Sequence, residues 1–218
     1  MSGRGPRWIQ KISRRTPLGD MELGALVKLN ENGTPAAFYV ACHNYEAGLN
    51  GNGRTLIVRK DCYDTRDFGS NNNAFSGSSM DTWLNSTWLK LLDADIQAAI
   101  SETKFYYTPG NGNNTVTTLQ RAVFLLSVTE LGTSGSFANT EGTALSSAVF
   151  SQLAIAHHNG SKVSQWTRTP NTGYPNSYVY YLDAEGYSKY AYSYNSHGSR
   201  PAFTLPASTL VGEDMLIV

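Results

Sequence analysis

The sequence predicts an α+β fold, a single domain of short antiparallel strands with a few short helices. Three observations predict it. Strand-like runs alternate with Asn/Gly turns over residues 22–59, helical periodicity is confined to short stretches within 79–100 and 147–157, and a tyrosine-rich two-strand pattern lies at 178–194. At 218 residues the chain can bury a sizeable core, and one domain plus a short tail is the default at that length.

Residues 1–20 carry Arg4, Arg7, Lys11, Arg14 and Arg15 against the single acid Asp20, with Trp8, Ile9 and Ile12 at helical spacing before Pro17. The segment reads either as a basic attachment piece, packing on another subunit or a particle protein with a trimer expected, or as a disordered leader. No apolar run follows it, so no signal peptide is predicted, and no stretch approaches the roughly twenty apolar residues of a membrane helix. The chain is therefore expected to be made in the cytoplasm, without membrane insertion. Basic and acidic residues balance at seventeen each, which argues against a nucleic-acid partner.

From Glu22 the ligand-binding domain is expected to run to residue 218. Leu23–Leu29, Ala37–Cys42 and Thr55–Arg59 read as a strand meander. Cys42 and Cys62 are either a disulfide or two free thiols, and no zinc spacing is present. Asp81–Asn85, Ser86–Leu92 and a turn from Asp93 read as short helices capped by Ser79, Ser86 and Asp93, presenting Trp83, Leu84, Trp88, Leu91, Leu92, Ile96 and Ile100 to the core.

Lys104–Thr108 is a further strand, and the apolar run Ala122–Val128 predicts a central, fully buried one. The polar stretches 109–114 and 134–143 are loops. Ser147–His157 predicts a helix ended by Asn159-Gly160, leaving His157-His158 at its C-terminus, where a cationic imidazole is favoured and a metal would lack partners.

Trp166–Pro170 and Gly198–Phe203 bracket a segment of different composition. Eight of the thirteen tyrosines, Tyr174, Tyr178, Tyr180, Tyr181, Tyr187, Tyr190, Tyr192 and Tyr194, fall between Asn171 and His197 among Asn, Ser and Gly. Paratopes use this mixture, because tyrosine gives a large amphipathic contact with two side-chain torsions to immobilise. With strands Tyr178–Leu182 and Tyr187–Tyr194 around a turn at Asp183–Gly186, strand parity puts Tyr178, Tyr180, Ser188, Tyr190, Tyr192 and Tyr194 on one face. Val179, Tyr181, Tyr187, Lys189, Ala191 and Ser193 take the other, and neither face is aliphatic enough for a core. The hairpin is either an exposed aromatic binding face or partly packed. Asn171, Tyr174, Asn176, Asn195 and His197 complete the expected ligand-binding set from the framing turns. Arg168 and Arg200 are expected to be buried on carboxylates or backbone carbonyls.

Asp81–Asn85, Ala122–Ser127, Trp166–Pro170 and Gly198–Phe203 occur in the order seen in an uncharacterised domain family of bacteria and their prophages. In that family a Trp-x-Arg-Ser-Pro block precedes a Gly-Val-Arg-Pro-Ala-Phe block, and this chain resembles it over about residues 21–206. Thr169 and Ser199 stand where Ser and Val are usual. The closing block also resembles the end of C-type-lectin-like domains of the formylglycine-generating-enzyme type, a fold used by phage tail adhesins diversified by retroelements. That resemblance implies a C-type-lectin-like α+β domain whose variable region, 171–197, carries the Asn, Tyr, Ser, Asp, His, Gly and Ala that mutated adenine-rich codons yield.

It further implies a non-catalytic variable protein or tail-tip adhesin on the virion, binding a host-surface protein or glycan, with no cofactor. A bacterial cell-surface or secreted interaction domain is the second reading. Catalysis is disfavoured: no cysteine follows Cys62, Asp183 and Glu185 read as turn residues rather than a glycosidase pair, and no Ser-His-Asp spacing or phosphate loop is identifiable.

Overall fold

The computed structural model describes residues 14–174 and 176–218. In chain order the strands are β1 (Thr16–Pro17), β2 (Leu26–Glu31), β3 (Thr34–His43), β4 (Arg54–Arg59), β5 (Thr65–Arg66), β6 (Thr103–Tyr107), β7 (Thr117–Arg121), β8 (Ala156–His158), β9 (Ser161–Val163), β10 (Gln165–Pro170), β11 (Tyr178–Leu182), β12 (Ser188–Tyr192), β13 (His197–Gly198), β14 (Ala202–Pro206) and β15 (Leu210–Val211). Helices are α1 (Ala47–Asn50), α2 (Ser79–Trp83), α3 (Ala94–Ala99) and α4 (Ser147–Ala154); α2 runs on through a π turn and a 3-10 turn to Leu91.

Two sheets dominate. One has the order β14-β4-β3-β2, with the predicted meander as its antiparallel core; the other has the order β12-β11-β10-β13-β5. Phe38, Trp88 and Phe203 pack together at ring separations of 5.8–6.4 Å in the core, and Glu31 accepts the Trp88 indole N–H at 2.6 Å. Leu84, Trp88, Leu92, Ile96 and Ile100 are buried as their helical spacing predicts. Trp83 is only partly covered, and the Arg66 guanidinium lies 3.3 Å from its ring centroid.

The structure corrects the fold class. The chain is mostly β, 36% strand against 17% helix spread over several small sheets, which gives no positive support for a C-type-lectin-like α+β fold. The helices are short because their sequences stop them early. At Ile155 the backbone turns extended, and Asn159-Gly160, both at positive φ, make the tight turn of the β8–β9 hairpin instead of a helix end. His157 and His158 therefore lie on a strand. Ser78, not Ser79, caps α2, accepting the Asp81 N–H at 3.0 Å.

The run Ala122–Val128 is buried but is not a strand. Its backbone is served by scattered partners: Phe124 bridges to Ala202, the Arg168, Leu131 and Thr133 N–H groups donate to the carbonyls of Leu126, Ser127 and Val128, and side chains serve Val123, Leu125, Ser127 and Val128. Asn85 brackets Val123 with both its amide atoms, Arg168 donates to Leu125 O, Glu130 accepts Ser127 N–H and Thr169 accepts Val128 N–H. Its apolarity correctly marks burial, while its hydrogen bonding is written elsewhere in the sequence.

Of the expected attachment segment, residues 1–13 lie outside the described residues. Residues 16–20 are tied into the domain: β1 pairs with β15, and Leu18 is buried. Cys42 and Cys62 are free thiols.

Candidate binding face

The tyrosine segment stands on a buried frame. Every residue of β10 is buried, and Arg168 within it forms a bidentate pair with Glu130, also buried, while donating to Leu125 O and Tyr106 O. Tyr45 and Ser127 N–H complete the donors around Glu130. Glu141, equally buried, accepts from Thr108 N–H and Thr169; burial holds its pKa above the usual carboxylate value, against the opposing pull of Arg168. Arg200 donates to the carbonyls of Arg59, Lys60 and Leu153 and to the Gln165 amide oxygen. Both arginines thus occupy the buried, carbonyl- and carboxylate-bound positions expected of them.

Strands β11 and β12 form an unbroken antiparallel ladder, Tyr178 opposite Tyr192, Tyr180 opposite Tyr190 and Leu182 opposite Ser188. The predicted parity holds, and the rings on one side make a chain of contacts. Tyr178 lies 4.2 Å from Tyr192, 5.5 Å from Tyr190 and 5.2 Å from Tyr174, and Tyr194 stacks on Tyr192 at 4.9 Å. Tyr174, Tyr190, Tyr192 and Tyr194 remain 40–53% exposed, and Asn176 and Asn195 are exposed in the adjoining turns. On the opposite side Val179, Ala191 and Ser193 are buried while Tyr187 and Lys189 are exposed, so that face packs over part of its length, where neither face was expected to be aliphatic enough for a core.

Other members of the expected set lie elsewhere. Tyr180 is 2% exposed and Asn171 fully buried, so neither faces solvent. Tyr180 forms the floor: its hydroxyl accepts the Phe137 N–H at 3.1 Å, and Gly135 lies so close to its ring that any side chain there would collide. Asn171 is a turn-former, its side-chain oxygen accepting Gly173 N–H and its carbonyl accepting Asn73 Nδ2. Ser188 is half-buried, with an unpartnered Oγ. His197 sits on the other side of the hairpin, stacked on Tyr181 at 4.0 Å with Trp166 edge-on at 4.4 Å, and burial lowers its pKa to about 4.

Phe137, 45% exposed and 6.1 Å from Tyr174, extends the aromatic surface and was not in the expected set. The available signal was a lone aromatic in the otherwise polar loop 134–143. Asparagine loops also abut the patch: Asn72 N–H donates to Ser193, Asn111 N–H to Asn73, and Asn114 to Thr172 O.

Ser164 and His197 form a hydrogen-bonded pair that sequence spacing did not reveal, through His197 Nδ1. Among the described residues no carboxylate accompanies it: Asp64 is engaged by Arg66 and Ser199, and Asp183 accepts turn N–H groups from Glu185 and Tyr187. Among the described residues no group of three or more His, Cys, Asp or Glu side chains could hold a metal ion, and no helix is long and apolar enough to cross a membrane.

Fold and site together define a mostly-β domain with a buried ionic frame that displays an uncharged aromatic surface. A family model matches residues 52–207, and the chain belongs to that family, described as a domain of unknown function (DUF6273). Comparison with curated proteins and with solved structures gives no match.

Proposed function

We propose that this chain is a non-catalytic binding protein that recognises a surface receptor through the Tyr174, Tyr178, Tyr190, Tyr192 and Tyr194 face, with Phe137, Asn176 and Asn195 at its margin. The observation that carries the reading is the contiguity of exposed tyrosines on a hairpin anchored from behind by the buried Val179 and Ala191. Contiguous exposed apolar patches mark interaction sites, and rigid aromatic anchors supply most of the affinity in such surfaces. In its finer form the proposal is a retroelement-diversified variable protein or phage tail-tip adhesin, carried on a virion and attached through its basic N-terminal residues to a homo-oligomer or particle proteins. The composition of 171–197 supports it.

The test replaces Tyr174, Tyr190 and Tyr192 together by Ser and measures binding of the labelled protein to a panel of bacterial cells and to a glycan array. Expected is a folded variant that has lost every interaction the parent makes; retained binding would overturn the reading. For the finer form, gene copies from related isolates should differ at the adenine-rich codons of 171–197 and agree elsewhere.

A further inference from the structure

Strand β12 is the outermost strand of its sheet. The flanks of the other main sheet are closed: Lys28 of β2 donates to Met215 O and accepts from Ile217 N–H, and Phe124 exchanges both hydrogen bonds with Ala202 of β14. At the far side of the tyrosine sheet, β5 is only two residues long. Strand β12 carries few of the devices that blunt an edge. Its ladder with β11 has no register shift, it contains no proline, and Lys189 is its single charge.

Hydrogen-bond alternation fixes which of its backbone groups look outward. Ser193 N–H donates to Ser177 O and Asp183 N–H to Tyr187 O, so the bonded pairs between them are Val179/Ala191 and Tyr181/Lys189. In agreement, Tyr178 and Tyr180 turn their carbonyls away from β12, to Asn171 N–H and the Thr167 hydroxyl. Ser188 and Tyr190 therefore present N–H and C=O at the open edge, with no partner among the described residues. A cleft of about 500 Å³ borders this strand at Ser188, Lys189 and Tyr190, with Ser134–Phe137 as its other wall. The Ser188 hydroxyl is buried there without a hydrogen bond.

The geometry points to β12 as a strand-addition site for an extended peptide segment of a protein partner, with an acidic side chain beside Lys189 and apolar side chains beside Tyr190 and Phe137. Main-chain bonds to Ser188 and Tyr190 supply affinity, and alternate side chains set the register. A walled cleft of this size takes a few extended residues rather than the flank of a second folded copy, and Lys189 asks for opposite charge. The inference rests on the binding reading of the tyrosine face and narrows its ligand from surface receptors in general to extended polypeptide.

A random linear peptide library displayed on phage, panned on the immobilised protein, supplies the probe. Enriched peptides should share an acidic residue flanked by apolar ones, and adding one should slow hydrogen exchange of the Tyr190 amide. Tyr190→Pro removes the outward N–H without touching the β11 ladder and should weaken peptide binding by roughly tenfold or more, whereas Tyr190→Ser, which keeps the N–H, should weaken it less. Failure to enrich any such sequence, an unprotected Tyr190 amide in the bound state, or full binding by the proline variant would overturn the inference. Should the proline variant not fold, amide exchange on the parent protein decides alone. If the triple tyrosine variant loses cell or glycan binding while the Tyr190 amide stays unprotected, the tyrosine face stands as the receptor site and strand addition falls.

Discussion

Arg168 and Glu130 meet as a bidentate ion pair, Nη1 to Oε2 at 2.6 Å and Nη2 to Oε1 at 2.9 Å, with no side-chain surface of either exposed. Charges so far from water are tolerated only when fully paired, and removing one partner strands the other. Because Arg168 also serves the backbone of the Ala122–Val128 run, the pair holds two layers of the domain together.

Arg168→Ala is therefore expected to cost about 3–5 kcal/mol, read as a large fall in the urea midpoint. Arg200→Lys should also destabilise, since one ammonium cannot span the carbonyls of Arg59, Lys60 and Leu153 that the guanidinium fork reaches. A variant melting with the parent would contradict the bridging role.

Tyr180 and Tyr190 face each other across the ladder but differ in burial, 2% against 45% exposed. Tyr180→Ser should cost about 3 kcal/mol or more, because it opens a cavity beneath the patch and frees Phe137 N–H. Tyr190→Ser should stay within about 1 kcal/mol. Thermal melts of the two single variants separate floor from face.

Gly135→Ala places a methyl against the Tyr180 ring. The loop must lift, at a cost of about 1–3 kcal/mol. Calorimetry should show that loss, and it should largely vanish in a Tyr180→Leu background, where the collision is relieved.

His197 has its pKa lowered by burial from 6.5 to about 4. Between those values the unfolded chain takes up a proton that the folded one refuses, so stability falls as pH drops from 6.5 towards 4. Because the ring is only partly buried, the loss is about 1–2 kcal/mol. Denaturation at pH 7 and pH 4.5 should show a smaller acid penalty in His197→Gln than in the parent.

Much of this arrangement is legible in the sequence where side-chain period decides it. The meander, the tyrosine parity and the buried Leu84/Trp88/Ile96 series all follow from local alternation or helical spacing. The α+β class and the strand at Ala122–Val128 fail because both depend on distant partners: Asn85 and Arg168 replace a neighbouring strand, and no local pattern announces that. Tyr180 was misplaced for a related reason. Strand parity gives direction but not depth, and its cover comes from Gly135–Phe137, far away in the chain. Phe137 itself lacked a periodic context.

The pairing of β1 with β15 sets Thr16 beside Val211, and Val218 donates back to Leu210, so the first and last described segments lie at one corner. A domain wired this way can be spliced into an exposed loop of a host protein, or cut elsewhere and joined from Val218 back to Thr16 by a short linker, which keeps Met215 and Ile217 on the β2 edge. A circular permutant reopened at the Asn50–Gly53 turn should therefore keep the aromatic surface on β11 and β12 intact.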